Sequence, residues 1–370
     1  MARKVSPRPL ESRPRVTVVI PCYNYGRFLA PCLASFIDSE GLDVDVIIVD
    51  DASPDGSAAV AHEIAARDPR VRVIEHSTNM RHIATYNEGL AAAEGEYVML
   101  LSADDLLAPG ALTRSAALLQ AQPEVGMVYG FSRRFTDGIP PQPRTALKSW
   151  SIWDGPEWVA KVCRTVSNPI YTPEVLMRTS VMRELVGYDA RLPHAADFHL
   201  WLRAGTRAGI GRVNGVDQAF YRVHGANMHT EQYSGAVRDI QERHLTLQIL
   251  FDEDGHLLPD AETLRADSLR ALAREALVLA CRPYEHGMPV AELNRQADQL
   301  DQLAALAAEI WPDAKESKLS RKYQRHVARV REGKGPVATA PVTAFRDRAV
   351  AHLGWRRWRR SGISPAVGSL

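Results

Sequence analysis

The sequence predicts an α/β fold, a mostly parallel sheet flanked by helices, followed by a C-terminal α-helical appendage. Three observations carry that expectation. Short β-branched runs alternate with helical stretches from Val16 to Leu101. Two of these runs stop at paired aspartates: Val44 to Val49 (VDVIIV) ends at Asp50-Asp51, and Tyr97 to Leu101 (YVMLL) ends at Ser102-Ala103-Asp104-Asp105. Beyond Gly255 the pattern changes to Ala, Leu, Arg and Glu at helical spacing, broken at Pro283, Pro289 and Pro312. In an open α/β sheet ligands bind just beyond the carboxyl ends of the parallel strands. Four carboxylates sharing that crevice repel one another unless a cation or a ligand's hydrogen-bond donors compensate them, so the spacing points to a divalent metal site.

Taken in order, strands are predicted at Val16 to Ile20, Val44 to Val49, Val71 to Ile74, Tyr97 to Leu101 and Val125 to Tyr129. Between them lie helical stretches at Tyr25 to Ile37, Ser57 to Ala66 (with Asp55 or Ser57 near its start), Ile83 to Ala93, and Pro109 to about Gln120. Periodicity weakens from Phe131 to Pro173, which carries prolines at 140, 141, 143, 156, 169 and 173 and tryptophans at 150, 153 and 158. Two readings stand for that stretch: a lid or substrate wall, or a poorly ordered insertion. The pattern recovers with a strand at Val175 to Met177, a helix from Ser180, and a helix over Asp197 to Ala208. Short strands follow near Val213 and at Phe220 to Val223, then a long helix from about Ser234 to Phe251.

The domain organisation expected is a disordered leader at 1–14, an α/β domain at 15–253, the helical appendage at 256–333, and a linker with a basic aromatic tail at 334–370. The formal charge of +1, from 45 basic and 44 acidic residues, provides no global field to recruit nucleic acid, and no nucleic-acid partner is expected. Cys22, Cys32, Cys163 and Cys281 fall in no zinc-like spacing and read as reduced thiols of a cytoplasmic protein. The amino terminus lacks an apolar signal core, and no run approaches the ~18 to 20 apolar residues of a membrane span. The tail's Trp355, Arg356, Arg357, Trp358, Arg359 and Arg360 suit peripheral contact at the inner face of a membrane with anionic headgroups. A short helix packing its tryptophans on the protein is the competing reading, with nucleic-acid binding a weaker third. Monomer and homodimer both stay open.

Four motifs occur in order, each following a predicted strand or opening a helix: Pro21-Cys22-Tyr23-Asn24; Val49-Asp50-Asp51-Ala52-Ser53-Pro54-Asp55-Gly56; Asn79 with Arg81 and His82-Ile83-Ala84-Thr85-Tyr86-Asn87-Glu88-Gly89; and Ser102-Ala103-Asp104-Asp105. Downstream come Gly187-Tyr188-Asp189, then Ala196-Asp197-Phe198-His199-Leu200-Trp201-Leu202-Arg203, and Tyr221-Arg222-Val223-His224-Gly225-Ala226-Asn227. Together, over roughly Arg15 to Phe251, they resemble a non-processive family 2 glycosyltransferase of the Rossmann-like GT-A fold. No Gln-x-x-Arg-Trp follows, which disfavours a processive synthase.

The resemblance implies an inverting transfer of a sugar from a nucleoside-diphosphate donor, UDP- or dTDP-sugar favoured, to an acceptor hydroxyl on a glycan, lipid-linked sugar or small molecule. It assigns Pro21, Tyr23, Asn24 and Asp51 (with Asp50 as the alternative) to the base. Asn79, Arg81, Asn87, Ser102, Ala103 and Arg222 fall to the remainder of the nucleotide sugar. Asp104 and His224 become ligands of Mn2+ or Mg2+, with Asp105 as the alternative, and Asp197 the general base. An ionised carboxylate only accepts hydrogen bonds, so an aspartate suits a base N–H. Each assignment competes with a plainer one: turn or N-cap for Asp50, Asp51, Asp55 and Asp197, structural histidine for His224, and solvent exposure for Arg81. His82 reads as structural. Two departures stand out: Ser102 replaces the customary first aspartate of the metal motif, and Ala196 the customary glutamate before Asp197. They keep a non-catalytic binding protein of the same fold in contention, and a nucleotidyltransferase is a further alternative.

Overall fold

The computed structural model describes residues 2–136, 138–168, 170–225 and 235–335, with 349, 352–354, 356, 358, 359, 362 and 363 of the tail. Ala226, Asn227, Trp355, Arg357 and Arg360, singled out in the sequence, lie outside the described residues. The chain divides into two units, one of residues 1–159 and 170–227, the other of 160–169 and 228–370.

The first unit is built on β2 (Arg15–Cys22), β3 (Asp43–Asp50), β4 (Val71–Glu75) and β5 (Tyr97–Leu100), parallel neighbours in the order β5-β2-β3-β4. Helices α1 (Gly26–Ala34), α2 (Ser57–Arg67) and α3 (His82–Ala91) are the crossovers. Strands covered on both faces need apolar side chains at successive positions, and Val18, Val19 and Ile20 beside Val46, Ile47, Ile48 and Val49 are wholly buried. The fit is close: a Cβ on Gly89 would lie 2.3 Å from Val19 Cγ1, so only glycine lets α3 lie against β2. Strand pairing sets Cys22 beside Asp50 and Asp50 beside Glu75, which brings three carboxyl-terminal loops to one edge.

Beyond β5 the sheet turns mixed. Strand β10 (Leu176–Arg178) runs antiparallel between β5 and β7 (Val125–Tyr129), followed by β11 (Gly209–Asn214) parallel to β7, then antiparallel β9 (Ser149–Trp153) and β1 (Arg3–Val5). A small second sheet joins β6 (Leu106–Leu107), β12 (Ala219–Arg222) and β8 (Ser132–Phe135). The remaining helices are α4 (Ala111–Ala121), α5 (Gly155–Thr165), α6 (Thr179–Leu185) and α7 (Ala196–Arg207).

Three expectations change. The leader expected to be disordered contributes β1, whose Arg3–Val5 pair with Trp150–Ile152 at the sheet edge. The stretch from Phe131 to Pro173 is neither a bare lid nor an insertion, since it supplies β8, β9 and α5; Trp150, Ile152 and Trp153 are buried and Trp158 is wholly so. Finally, the long helix assigned to the first domain, now α8 (Ala236–Glu253), belongs to the second unit with α9 (Ala261–Glu285), α10 (Val290–Ile310) and α11 (Lys318–Arg331). The reason is chemical as well as apolar: the buried Arg243 guanidinium takes both oxygens of Glu275 on α9 at 2.9 and 3.0 Å, and donates to the Val166 carbonyl at 2.7 Å. Among the described residues no helix is long and apolar enough to cross a membrane.

Candidate active site

The end of β3 forms a hydrogen-bonded turn. Asp50 Oδ1 accepts from Ser53 N at 3.0 Å, while its Oδ2 is buried without a partner among the described residues. Asp51 Oδ1 accepts twice, from His76 Nδ1 at 2.8 Å and from Met80 N at 2.6 Å; its other oxygen has no donor among the described residues. His76 continues the chain, its Nε2 lying 2.8 Å from Glu88 Oε2. Burial works to lower the His76 pKa, but the bonds to Asp51 and Glu88 outweigh it and the net shift is upward. Alongside, Asn24 N donates to Ser53 Oγ at 3.0 Å, Tyr23 is exposed, and Asn79 Oδ1 caps Arg81 N at 3.1 Å. Asn24, Ala52 and Arg81 hold left-handed φ of 60°, 58° and 66°, one in each loop after β2, β3 and β4. Strain on non-glycine residues is tolerated where it positions a ligand site.

The end of β5 is assembled differently. Asp105 is turned inward, with Oδ1 accepting from Arg222 N at 2.8 Å. Burial pushes its carboxyl well above the carboxylate range, Asp104 adds to that, and Arg222 opposes. Asp104 stays at the mouth, with Oδ2 3.0 Å from His224 Nε2. Burial raises its pKa as well, against the hydrogen bond with His224. Arg222 Nε donates to the Asp104 carbonyl at 2.8 Å, and its guanidinium lies between the Phe28 and Phe135 rings at 4.8 and 4.5 Å. Tyr25 and Phe28 pack on the His224 ring at 5.6 and 5.8 Å. Ser102 is half-buried and its hydroxyl makes no hydrogen bond among the described residues.

The third element is Asp197 in the first turn of α7, where its Oδ1 accepts from Phe198 N at 2.6 Å. A carboxylate there gains from the helix dipole. The turn before it is fixed by Asn87, whose Nδ2 donates to the Tyr188 carbonyl at 2.8 Å and whose Oδ1 accepts from Tyr188 N at 2.7 Å. Gly187 (φ +79°) passes so close that a Cβ would meet Asn87 Oδ1 at 2.3 Å. Burial raises the Tyr86 phenol, and the charges of Asp104 and then Asp197 raise it further. Tyr221 is pushed up to about 12, by burial and then by Asp105 and Asp104.

Several sequence assignments therefore change. Asn87 commits one N–H and its carbonyl oxygen to the backbone of Tyr188, and so clamps a turn. Arg222, expected on the nucleotide, is buried and shapes the Asp104 loop. Asp105, the alternative metal ligand, is buried with Oδ1 on Arg222 N, and the Ala103 side chain is core. Asp55 takes the plain role, accepting from Ser57 N at 3.0 Å. His82 is structural, bonded to the Pro193 carbonyl at 2.9 Å. Sequence reasoning missed His76, Tyr25 and Tyr86. A signal existed for the first, since His76 follows Glu75, which pairs with Asp50; and Tyr86 lies one turn from His82 inside a motif already noted.

The sequence model of the family described as "Glycosyl transferase family 2" matches residues 17–182. EpsE of Bacillus subtilis (strain 168), assigned as a glycosyltransferase, is 30% identical over 217 residues, covering 58% of this chain and 74% of its own. The O-antigen biosynthesis protein RfbC of Myxococcus xanthus is 31% identical over 210 residues, covering 55% of this chain and 16% of its own. Among solved structures, S. aureus TarS 1-349 with UDP-GlcNAc superposes with a TM-score of 0.56 at 16% identity, over 86% of this chain and 92% of that one, and shares the fold. With a relative 30% identical and matched along 74% of its length, this chain belongs to glycosyl transferase family 2.

Proposed function

We propose that this glycosyltransferase draws its sugar from a pyrimidine nucleoside diphosphate, a UDP- or dTDP-sugar, and passes it with inversion to a hydroxyl of a growing glycan. The observation that carries the reading is the pairing of Asp104 with His224 beside Tyr25, with Asp104 and Asp197 both acting on the buried Tyr86 phenol. The donor class follows from Asp51. With Oδ1 filled by His76 and Met80 N, one oxygen remains, which matches the single imide N–H of uracil or thymine; guanine presents adjacent N–H donors and suits a carboxylate open at both oxygens. TarS, which shares the fold, was solved with UDP-GlcNAc, and RfbC is named for O-antigen biosynthesis; both accord with a uridine donor and a glycan acceptor.

The residues also fit a divalent ion. Asp104 Oδ2 and His224 Nε2 are 3.0 Å apart, the separation of adjacent octahedral ligands at about 2.1 Å. No three His, Cys, Asp or Glu side chains form a metal cluster among the described residues, so Asp104 and His224 would share the ion with donor diphosphate and water. Such an ion supplies charge neutralisation at the leaving diphosphate. The chain's own work is positional. Arg222 and Asp105 hold the Asp104 loop, the Tyr188 clamp holds the approach to α7, and the Asp197 carboxylate takes the acceptor hydroxyl's proton. That oxygen bonds to the anomeric carbon as the carbon–diphosphate bond breaks. Asp197→Asn tests the assignment: transfer from a nucleotide-sugar panel with Mn2+ should fall by roughly 10²- to 10⁴-fold with donor binding unchanged. Near wild-type transfer would place the base elsewhere.

A further inference from the structure

The near-zero net charge of this chain hides a segregation. Residues 315–370 hold fourteen Lys or Arg against three Asp or Glu, so the formal +1 divides into +11 there and −10 over residues 1–314. The described part of this cationic segment is centred on α11. Lys318, Arg321, Arg325 and Arg329 recur every three or four residues, which puts them on one face; all are exposed, with Gln324 and Ala328 exposed between them. The opposite face is anchored by buried Tyr323, whose hydroxyl donates to Asp301 at 2.7 Å, and by His326 stacked on Tyr284. Arginines elsewhere commonly pair with carboxylates, but these four cations and Arg331 form no ion pair among the described residues, whereas Lys322 on the flank is paired with Glu285. The field is felt locally: after burial, Lys322, Arg325 and Arg329 hold the His326 pKa below its ordinary value, against Glu285. An open recess of about 470 Å³ lined by Lys315, Ser320, Arg321, Gln324 and Arg325 lies on the same face.

We propose that the exposed basic face of α11 docks this enzyme on the surface of an anionic phospholipid bilayer. A row of unpaired cations on a rigid helix matches a plane of phosphates, needs no groove, and gains about fivefold in partition per Lys or Arg held near the surface. Nucleic acid fits less well, because the face offers no aromatic ring for stacking. The next basic cluster along the chain alternates with Trp355 and Trp358, residues favoured at a membrane–water interface. The acidic remainder of the chain is repelled by the same surface, so electrostatics confines the contact to this segment.

The test is sedimentation of the full chain with phosphatidylcholine vesicles and with vesicles also containing phosphatidylserine. Binding is expected to the anionic vesicles alone and to be lost at about 1 M salt. The double variant Arg321→Glu, Arg325→Glu should weaken it at least thirtyfold, and Arg321→Lys, Arg325→Lys should retain it, each with an unchanged thermal midpoint. The salt series on the unaltered protein keeps the proposal falsifiable if the glutamate variant misfolds. Absence of binding to anionic vesicles, equal binding to neutral ones, undiminished binding by a folded glutamate variant, or displacement of the vesicles by a single-stranded RNA oligomer would each overturn it.

Discussion

The two aspartate-bearing strand ends look alike in sequence and are built on opposite principles. After β3, the protein itself fills one oxygen of Asp51, with His76 and a backbone amide. After β5, the buried Asp104 carboxylate meets the His224 imidazole, on whose ring Tyr25 packs, and its neighbour Asp105 is buried for structural ends. A carboxylate with internal donors is pre-aimed for recognition. One whose pKa is raised by burial gains from a cation brought beside it. Under the proposed roles, the difference separates base reading from charge neutralisation before any ligand arrives.

The comparison breaks first at Asp104. Asp104→Ala should abolish metal-dependent donor binding and cut transfer by roughly 10³-fold, several kcal/mol of transition-state stabilisation; Mn2+ titration against donor affinity measures it. If donor binding keeps its metal dependence, the two ends are not divided as described. Next comes Asp51→Ala, which removes a hydrogen bond to a charged group and should raise the donor KM about 10- to 100-fold with kcat little changed.

His76→Gln sharpens the same end with a smaller effect. The folded pKa of His76 is raised, so its stabilising contribution is complete below the ordinary value of 6.5 and is lost as pH rises through the elevated one. Thermal midpoints of the wild type should therefore drop across that window by an amount equivalent to about 1 kcal/mol, and those of His76→Gln should not. The smallest change expected is from Ser102→Asp. Restoring the customary acid should tighten Mn2+ binding by less than tenfold and lower the metal-free melting temperature through like-charge repulsion, read as a larger Mn2+-induced thermal shift.

What the sequence disclosed follows from where each signal resides. Strands β2, β3 and β5 were legible because burial on both faces demands unbroken β-branched runs, and the polar residues ending them mark the ligand edge. Strand β9 was not, although Ser149-Trp150-Ser151-Ile152-Trp153 is a strand sequence, because surrounding prolines obscured it. Strand β1 is an Arg-Lys-Val held by distant partners, its pairing with β9 and the bonds of Arg3 to Gln122 and Glu124, so no local pattern could announce it. Within the site, residue types were legible and directions were not. Asn87 belongs to a motif, yet whether its amide meets a ligand or a backbone is decided by Tyr188, 101 positions further along. The contrast between Asp104 and Asp105 depends likewise on Arg222, 117 positions beyond Asp105.

The pairing of Asn87 with Tyr188 has a mechanical consequence. One amide side chain fastens α3 to the loop that leads into α7, so in the proposed mechanism it sets the tolerance to which the Asp197 carboxylate and the departing group are aligned. Slack introduced at that single joint would leave an enzyme that still loads its donor but misses its stroke, and the symptom would be futile donor hydrolysis in place of transfer.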